Sequence, residues 1–391
     1  MPGAPRWYSS AGMPPTDAMD DINEAVLARE EVVRYLRGGH GVTPGEAREK
    51  VHKYLDEMRT TQRYHLYRAL KHPVYPILRK IQRIPERVEL ARAATASGRV
   101  MYVSNHKSHT DYLVEPLVLD DNGVRPPLIA AGINLFGGPL GLIHRYVTGA
   151  IPIRRATKDP AYLVTLKAYV AESLRRHDLL IYPEGGRSYS GELKSPKTGL
   201  IHAALQSQTE NLVIVPMAVS YDLVLEDRVL ARQGVKRRQR PFTHEVAEMM
   251  RYSVGYRSRA FVTFGEPIDL HEYDPQSKRD VLDLAHRALD TVGRLYKVVP
   301  TALVASAMRP SIPRRDLESR LDDLVGALHA HGANLAVASG REALKEATRP
   351  LVARGVLVVE GDRYRVRNRA LLRYYARTIE HLLVAATGRA H

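Results

Sequence analysis

Between Gly98 and Ile268 short aliphatic runs alternate with longer stretches of helical periodicity. RVMYVSN, PPLIAAG, DLLIYPEG, NLVIVPMAVSY and RAFVTFGEPI are the apolar runs, and PAYLVTLKAYVAESLRRH is one of the spacers. Runs so short and so uniformly apolar predict strands buried on both faces, as happens when helices cover both sides of a sheet. The expected fold class is α/β: a central mostly parallel or mixed sheet flanked by helices, at 91–295, with helical N- and C-terminal additions.

The flanks carry other patterns. Ile22 to Arg37 has helical spacing ended by Gly38, Gly39 and Gly41, and Pro44 opens a second helix toward Met58. An N-terminal helical region is expected at 21–90, after a disordered lead at 1–20 that lacks the apolar stretch of a secretory signal. Past Pro300, RRDLESRLDDLVGALHAHG keeps a leucine periodicity and ASGREALKEATRP ends at a proline. GVLVVEGDRYRV reads as two strands joined around Gly361 and Asp362, and RALLRYYARTIEHLLVAAT as a last helix. This predicts a C-terminal helical region with a short β-hairpin at 296–391. Its order is similar to a winged helix, which sets up a nucleic-acid-binding alternative; Asp316, Glu318, Asp322 and Asp323 on the preceding helix oppose it. The run VVPTALVASAM at 298–308 is too short for a bilayer span and reads as a buried helix.

Charge narrows the partners. With 58 Lys and Arg against 43 Asp and Glu, the 391 residues carry a formal +15, which favours nucleic acid, an acidic membrane surface or phosphate-bearing substrates. Residues 59–89 hold eight Lys or Arg against two acids, interleaved with Tyr, Leu and Ile. That composition suits either an anionic membrane surface or a basic helix packed on the core. Residues 228–259 hold nine against two, including KRRQR. The absence of cysteine excludes a disulfide scaffold, a thiol nucleophile and thiolate metal sites.

Two segments directly after apolar strands carry candidate chemistry. In VSNHKSHTDYL, His106 and Asp111 are five apart, about 140° around a regular helix. They pair if His106 lies on the strand-to-helix loop and Asp111 in the first helical turn, with Ser108 or Thr110 as caps. Asp111 then fixes the imidazole tautomer while the other ring nitrogen takes a proton from a hydroxyl. The same residues read otherwise as helix caps, His109 is a rival base, and His106, His109 and Asp111 form a weak metal alternative. In YPEGGRS, Gly185 and Gly186 let backbone N–H groups approach an anion and Arg187 offers a fork of donors; a tight turn with a solvated arginine is the alternative. Lys197, in PKTG, brings a second charge near a helix start. The spacing fits neither a Walker A loop nor a dinucleotide fingerprint. Arg154 and Arg155 end a third apolar strand, one able to face an anion and the other solvent or a carboxylate.

Taken in order, HKSHTD at 106–111, AAGINLFGGPLGLIHRYVTGAIPIRR at 130–155, YPEGGRSYSGELKSPKTG at 182–199 and VIVPMAVSYD at 213–222 resemble the four blocks of the glycerolipid acyltransferases. Within them the likeness is to the bacterial glycerol-3-phosphate and dihydroxyacetone-phosphate acyltransferase branch. The resemblance implies that His106 deprotonates the acceptor hydroxyl with Asp111 as its orienting partner, and that Arg154, Glu184, Gly185, Gly186, Arg187 and Lys197 recognise the acceptor and its phosphate. It implies glycerol 3-phosphate as acceptor, acyl-CoA or acyl-carrier protein as donor, and no metal, cofactor or nucleic acid. It also implies a peripheral enzyme on the cytoplasmic face of an anionic membrane. Dihydroxyacetone phosphate, a lysophospholipid and another alcohol are the other acceptors of the class. The chain departs from the pattern at Tyr189, where relatives carry a second arginine, at Glu192, where a basic residue is common, at Asn105 and Lys107 around the histidine, and at the IPI preceding Arg154.

Overall fold

The computed structural model describes residues 17–38, 41–74, 81–236 and 258–388. The lead before Asp17 and most of the basic 228–259 stretch, including nearly all of KRRQR, lie outside the described residues, as does 75–80 of the basic 59–89 segment.

One eight-stranded mixed sheet organises the middle of the chain, as the aliphatic runs predict. Its strands are β1 (Ile81–Glu86), β2 (Val100–Ser104), β3 (Leu128–Gly132), β4 (Ala150–Ile153), β5 (Leu179–Ile181), β6 (Val213–Tyr221), β7 (Ser258–Phe264) and β8 (Ile268–Asp269). The order is β1-β7-β6-β2-β5-β3-β4, with β8 also on β6. β2 is parallel to both neighbours, Val103 opposing Ile181 on one side and Pro216 on the other. β3 is likewise parallel to β5 and β4, whereas β7 and β8 run antiparallel to β6. All five residues of β2 and all three of β5 are buried, as two helix-covered faces require. Because β2 to β5 are parallel, the chain leaves all four at one edge. That edge therefore collects the segments after Ser104, Gly132, Ile153 and Ile181.

The covering helices follow the apolar spacing. Pro160–Leu174 starts with Asp159 capping Ala161 N and Pro160 in its first turn. Asp111–Asp121 is buried through Asp120 and continues through Pro116 without ending. Pro300–Ala307, the apolar run too short for a bilayer, is a core helix; no helix among the described residues is long and apolar enough to cross a membrane.

Two local readings differ from the structure. Ile22 to Arg37 is two helices, Asp17–Ala28 and Glu30–Leu36, because Arg29 is extended with its guanidinium on Glu172 and the Gln206 carbonyl. Within the basic 59–89 segment, Tyr64–Val74 is helical, but 81–86 is β1, paired in parallel with β7 at the sheet edge. An edge position tolerates Pro85 and exposed polar residues that no central strand would carry. The C-terminal hairpin is present as β12 (Leu357–Glu360) and β13 (Arg363–Val366), joined by β10 (Ser311–Pro313) into three strands, while β9 (Lys297–Val298) and β11 (Asn334–Leu335) pair separately.

Candidate active site

The loop leaving β2 is built almost entirely of buried polar groups. Asn105 exchanges two hydrogen bonds with the backbone of Val219 on β6, donating to its carbonyl at 2.9 Å and accepting from its N–H at 2.8 Å. Asp111 opens the next helix and turns its carboxylate back under the loop. Its Oδ2 accepts from Lys107 N at 2.6 Å and Ser108 N at 2.8 Å and lies 2.9 Å from His106 Nδ1; its Oδ1 accepts from the Tyr221 hydroxyl at 2.7 Å. With Nδ1–H held by a carboxylate, Nε2 is left to accept a proton. Asp111 is thus both the helix-start acceptor and the imidazole partner, so the helix-cap and dyad readings describe one geometry. The hydroxyl caps expected at the helix start are not formed: Thr110 caps nothing, and Ser108 Oγ instead accepts from Thr110 N.

The loop leaving β5 braces the same histidine. Glu184 accepts from His106 N at 2.9 Å and from Lys194 N at 3.2 Å, and Ser188 N donates to the His106 carbonyl at 2.9 Å. The Tyr182 ring stacks on the imidazole with centroids 4.4 Å apart and planes 19° apart. Glu184 therefore spends its carboxylate on backbone N–H groups of the two loops. Arg187 lies 3.5 Å from Glu226, which also accepts from Ser108 Oγ and His109 N. Its guanidinium is 6% exposed and sits against the loop that carries His106.

A cavity of about 240 Å³ opens beside His106. His109, Gly185, Gly186, Arg154, Arg155 and Lys197 also line it, and its apolar wall includes Tyr112, Leu135, Ile153, Tyr162, Leu166 and Leu200. Gly185 has φ +70, and a Cβ there would come within 2.6 Å of Lys197 Nζ. The lysine therefore crosses directly over the glycine, a path that any side chain would block.

Both adjacent arginines line the cavity, but their partners differ. Arg154 forms a forked pair with Glu57, its Nε 2.6 Å from Oε1, and lies over the rings of Tyr54 and Tyr162. Arg155 passes over Gly132 and Gly186 and has no carboxylate partner among the described residues. Burial, opposed by Tyr189 and reinforced by the nearby Arg187, lowers its affinity for its proton. Lys194 is lowered by burial and by Arg155, Lys197 and Arg187, against the pull of Glu184. Four cations thus converge beside the dyad, the arrangement that an anion relieves. Tyr189 lies between two of them, with Arg187 and Lys194 each 5.6 Å from its ring centroid. Glu192 faces Arg377 of the C-terminal helices and does not line the cavity.

The sequence reading left open which of Arg154 and Arg155 lacks a carboxylate partner, and it missed several supporting groups: Lys194, Tyr221, Glu226 and Glu115. Glu115 carried a legible signal, an acid inside the apolar run DYLVEPLVL. It is fully buried, and burial first, then the Asp111 charge, pushes its carboxyl well above the usual range. Lys107, buried with its ammonium 2.6 Å from the Gly191 carbonyl and over the Tyr296 ring, is pushed down to about 8 by desolvation. The described residues contain no group of three His, Cys, Asp or Glu placed to hold a metal.

Comparison with known proteins finds a likeness to acyltransferases over these same segments. The acyltransferase family model matches residues 79–220, which span β1 to nearly the end of β6. A glycerol-3-phosphate acyltransferase of Actinobacillus succinogenes is 31% identical, over 88% of this chain and 47% of that protein. One of Aeromonas hydrophila is 32% identical, over 60% of this chain and 30% of that protein. The chain spans less than half the length of these relatives. Among solved structures, a 1-acyl-sn-glycerophosphate acyltransferase from Thermotoga maritima matches with TM-score 0.34 at 15% identity, covering 70% of this chain and 94% of that one.

Proposed function

We propose, from the premise that this chain belongs to the glycerolipid acyltransferase superfamily, that it transfers a fatty acyl group from acyl-CoA or acyl-carrier protein to the sn-1 hydroxyl of glycerol 3-phosphate. The observation that carries this reading is that His106, paired with Asp111, and the cations Arg155 and Lys197 line one cavity.

His106 Nε2 takes the proton of the acceptor hydroxyl as its oxygen bonds to the thioester carbonyl carbon. Asp111, on Nδ1–H, stabilises the imidazolium. The tetrahedral intermediate then expels the thiolate, which recovers the proton from His106. The products are lysophosphatidate and the free thiol carrier. The thioester is already activated, so no covalent enzyme intermediate enters the sequence of steps. Arg155 and Lys197 hold the phosphate, with Lys194 and Arg187 adding to the local positive potential, and the apolar wall receives the start of the acyl chain. Arg154, engaged by Glu57, shapes the rim.

An anionic acceptor, an anionic donor and an anionic leaflet all agree with the +15 charge. Attachment is peripheral, on the cytoplasmic face of the membrane, through the basic 59–89 segment, where Leu66 is exposed. The test compares product formation from glycerol 3-phosphate, dihydroxyacetone phosphate, lysophosphatidate and glycerol with both donors. Strong activity on glycerol that Lys197→Ala leaves intact would sink the phosphate assignment.

A further inference from the structure

The mechanism uses His106 and Asp111 but leaves two neighbouring groups without a role, the fully buried Glu115 and the half-buried Tyr182 at the cavity wall. Glu115, one helical turn beyond Asp111, lies under β2 and β5. Its Oε2 accepts from the Tyr182 hydroxyl at 2.6 Å, and its Oε1 is hydrogen-bonded to Ser104 Oγ. The other face of this arrangement is the Tyr182 ring, stacked on the imidazole. Tyr182 is thus anchored at its hydroxyl end by Glu115 and presents its face to His106.

We propose that Glu115 and Tyr182 are positioning residues for His106: Glu115 fixes the Tyr182 hydroxyl, and the Tyr182 ring fixes the plane of the imidazole. The inference rests on the reading of His106 as the base. Asp111 restrains only the Nδ1 edge of the ring, and a single hydrogen bond leaves rotation about that contact open. A stacked ring removes this freedom, which matters because a reacting group misplaced by about 1 Å costs on the order of 100-fold in rate.

The bonding around Glu115 also has room for a proton on its carboxyl. Ser104 Oγ lies 3.4 Å from the Asn105 carbonyl and can give it its own hydrogen, which leaves an Oγ lone pair for a proton on Glu115 Oε1. The groups around Glu115 are Asp111, Tyr182, Tyr221 and the His106 ring; none of them is a fixed cation. A neutral acid here presents one donor, to Ser104, and one acceptor, to Tyr182. A glutamine presents the same pair. Asp111 is then the negative charge in contact with the imidazole ring.

The experiment measures kcat, acceptor KM and the pH profile of kcat/KM for Tyr182→Leu, Tyr182→Phe, Glu115→Ala, Glu115→Gln and His106→Ala, each checked for a native thermal transition. Tyr182→Leu is expected to lower kcat by about 10-fold or more, with acceptor KM within about twofold. Tyr182→Phe, which keeps the ring, should recover most of that loss. Glu115→Gln should recover most of the loss seen in Glu115→Ala and leave the acid limb of kcat/KM in place. Wild-type kcat in Tyr182→Leu, or equal damage in Tyr182→Phe and Tyr182→Leu, would overturn the stacking role. An acid limb displaced by Glu115→Gln would overturn the neutral carboxyl, since an ionised Glu115 would make that change delete a charge beside the dyad. Retained turnover in His106→Ala overturns the base assignment itself. Loss in His106→Ala with wild-type kinetics in Tyr182→Leu overturns only the positioning proposal.

Discussion

Replacing Arg155 and Arg154 one at a time separates two side chains that adjoin in sequence and diverge in space. Arg155 crosses Gly132 and Gly186 and faces the cavity with no carboxylate partner among the described residues. A charge-assisted hydrogen bond from such a group to phosphate is worth about 1.5–3 kcal/mol. At about 1.4 kcal/mol per factor of ten, Arg155→Ala should lower kcat/KM for glycerol 3-phosphate by roughly 10- to 150-fold. The pair of Arg154 with Glu57 is partly exposed, with side chains 36% and 18% accessible. Pairs of that kind contribute about 0–1 kcal/mol, so Arg154→Ala should cost no more than about fivefold in the same quantity. Initial rates at fixed donor and varied acceptor give the two numbers, and donor hydrolysis by water, which needs no phosphate site, is the internal control. Arg155→Lys should fall between, since it keeps the charge but loses the fork. A larger loss in Arg154→Ala than in Arg155→Ala, with both variants folded, would refute the assignment.

Three further outcomes follow from the same contacts. His106→Ala should lower turnover by about 100-fold or more, and Asp111→Asn should also impair it because the charge and the tautomer control are lost together; retained turnover in the first with loss in His109→Ala would make His109 the base. Gly185→Ala should raise the apparent KM for glycerol 3-phosphate, because its φ of +70 disfavours a side chain and the new methyl meets Lys197; an unchanged KM would place the lysine elsewhere. Lys107 titrates at about 8 in the folded chain, below its ordinary 10.5, so the unfolded chain binds more protons between those values and stability should rise with pH from about 8. The slope is at most about 1.4 kcal/mol per pH unit, and denaturant unfolding at pH 7.5, 8.5 and 9.5 should show it in the wild type and not in Lys107→Met.

What the sequence made legible was local, and what it hid was set by distant partners. The aliphatic runs predicted the strands because a sheet covered on both faces leaves no polar positions in its central strands. His106 and Asp111 could be paired from spacing because strand, loop and first helical turn lie within eight residues. The choice between Arg154 and Arg155 was out of reach: it turns on Glu57, 97 residues earlier, and on where β4 ends before Ala156 takes φ +55. Glu226 and Tyr221, which hold the loop of His106 and Asp111, come from more than 100 residues away. The β1 strand was hidden by its charge, since an edge strand need not look apolar.

The same long-range logic explains why a helix-and-hairpin unit follows the acyltransferase core. Glu226 supports Ser108, His109 N and Arg187, and its neighbour Asp227 is held by Arg354 Nε at 2.9 Å and the Tyr375 hydroxyl at 2.5 Å. Arg354 also donates to the Val224 and Leu225 carbonyls, and Thr301 donates to that of Asp222. The stretch 222–227 is therefore clamped from the C-terminal side along its length, and the residue that braces the histidine loop sits inside the clamp. Gly191 abuts the Tyr374 carbonyl and accepts from Lys107, which tethers the far end of the second loop to the same helices. A loop that must keep a carboxylate and an imidazole in register cannot rely on its own six residues, four of whose backbone N–H groups, at 106–109, are already engaged by Asp111, Glu184 and Glu226. Rigidity has to be imported from elements packed behind it. In this chain those elements lie after Pro300, so Arg354 and Tyr375, which a winged-helix reading would turn toward nucleic acid, are committed to the stretch 224–227 that braces the His106 loop.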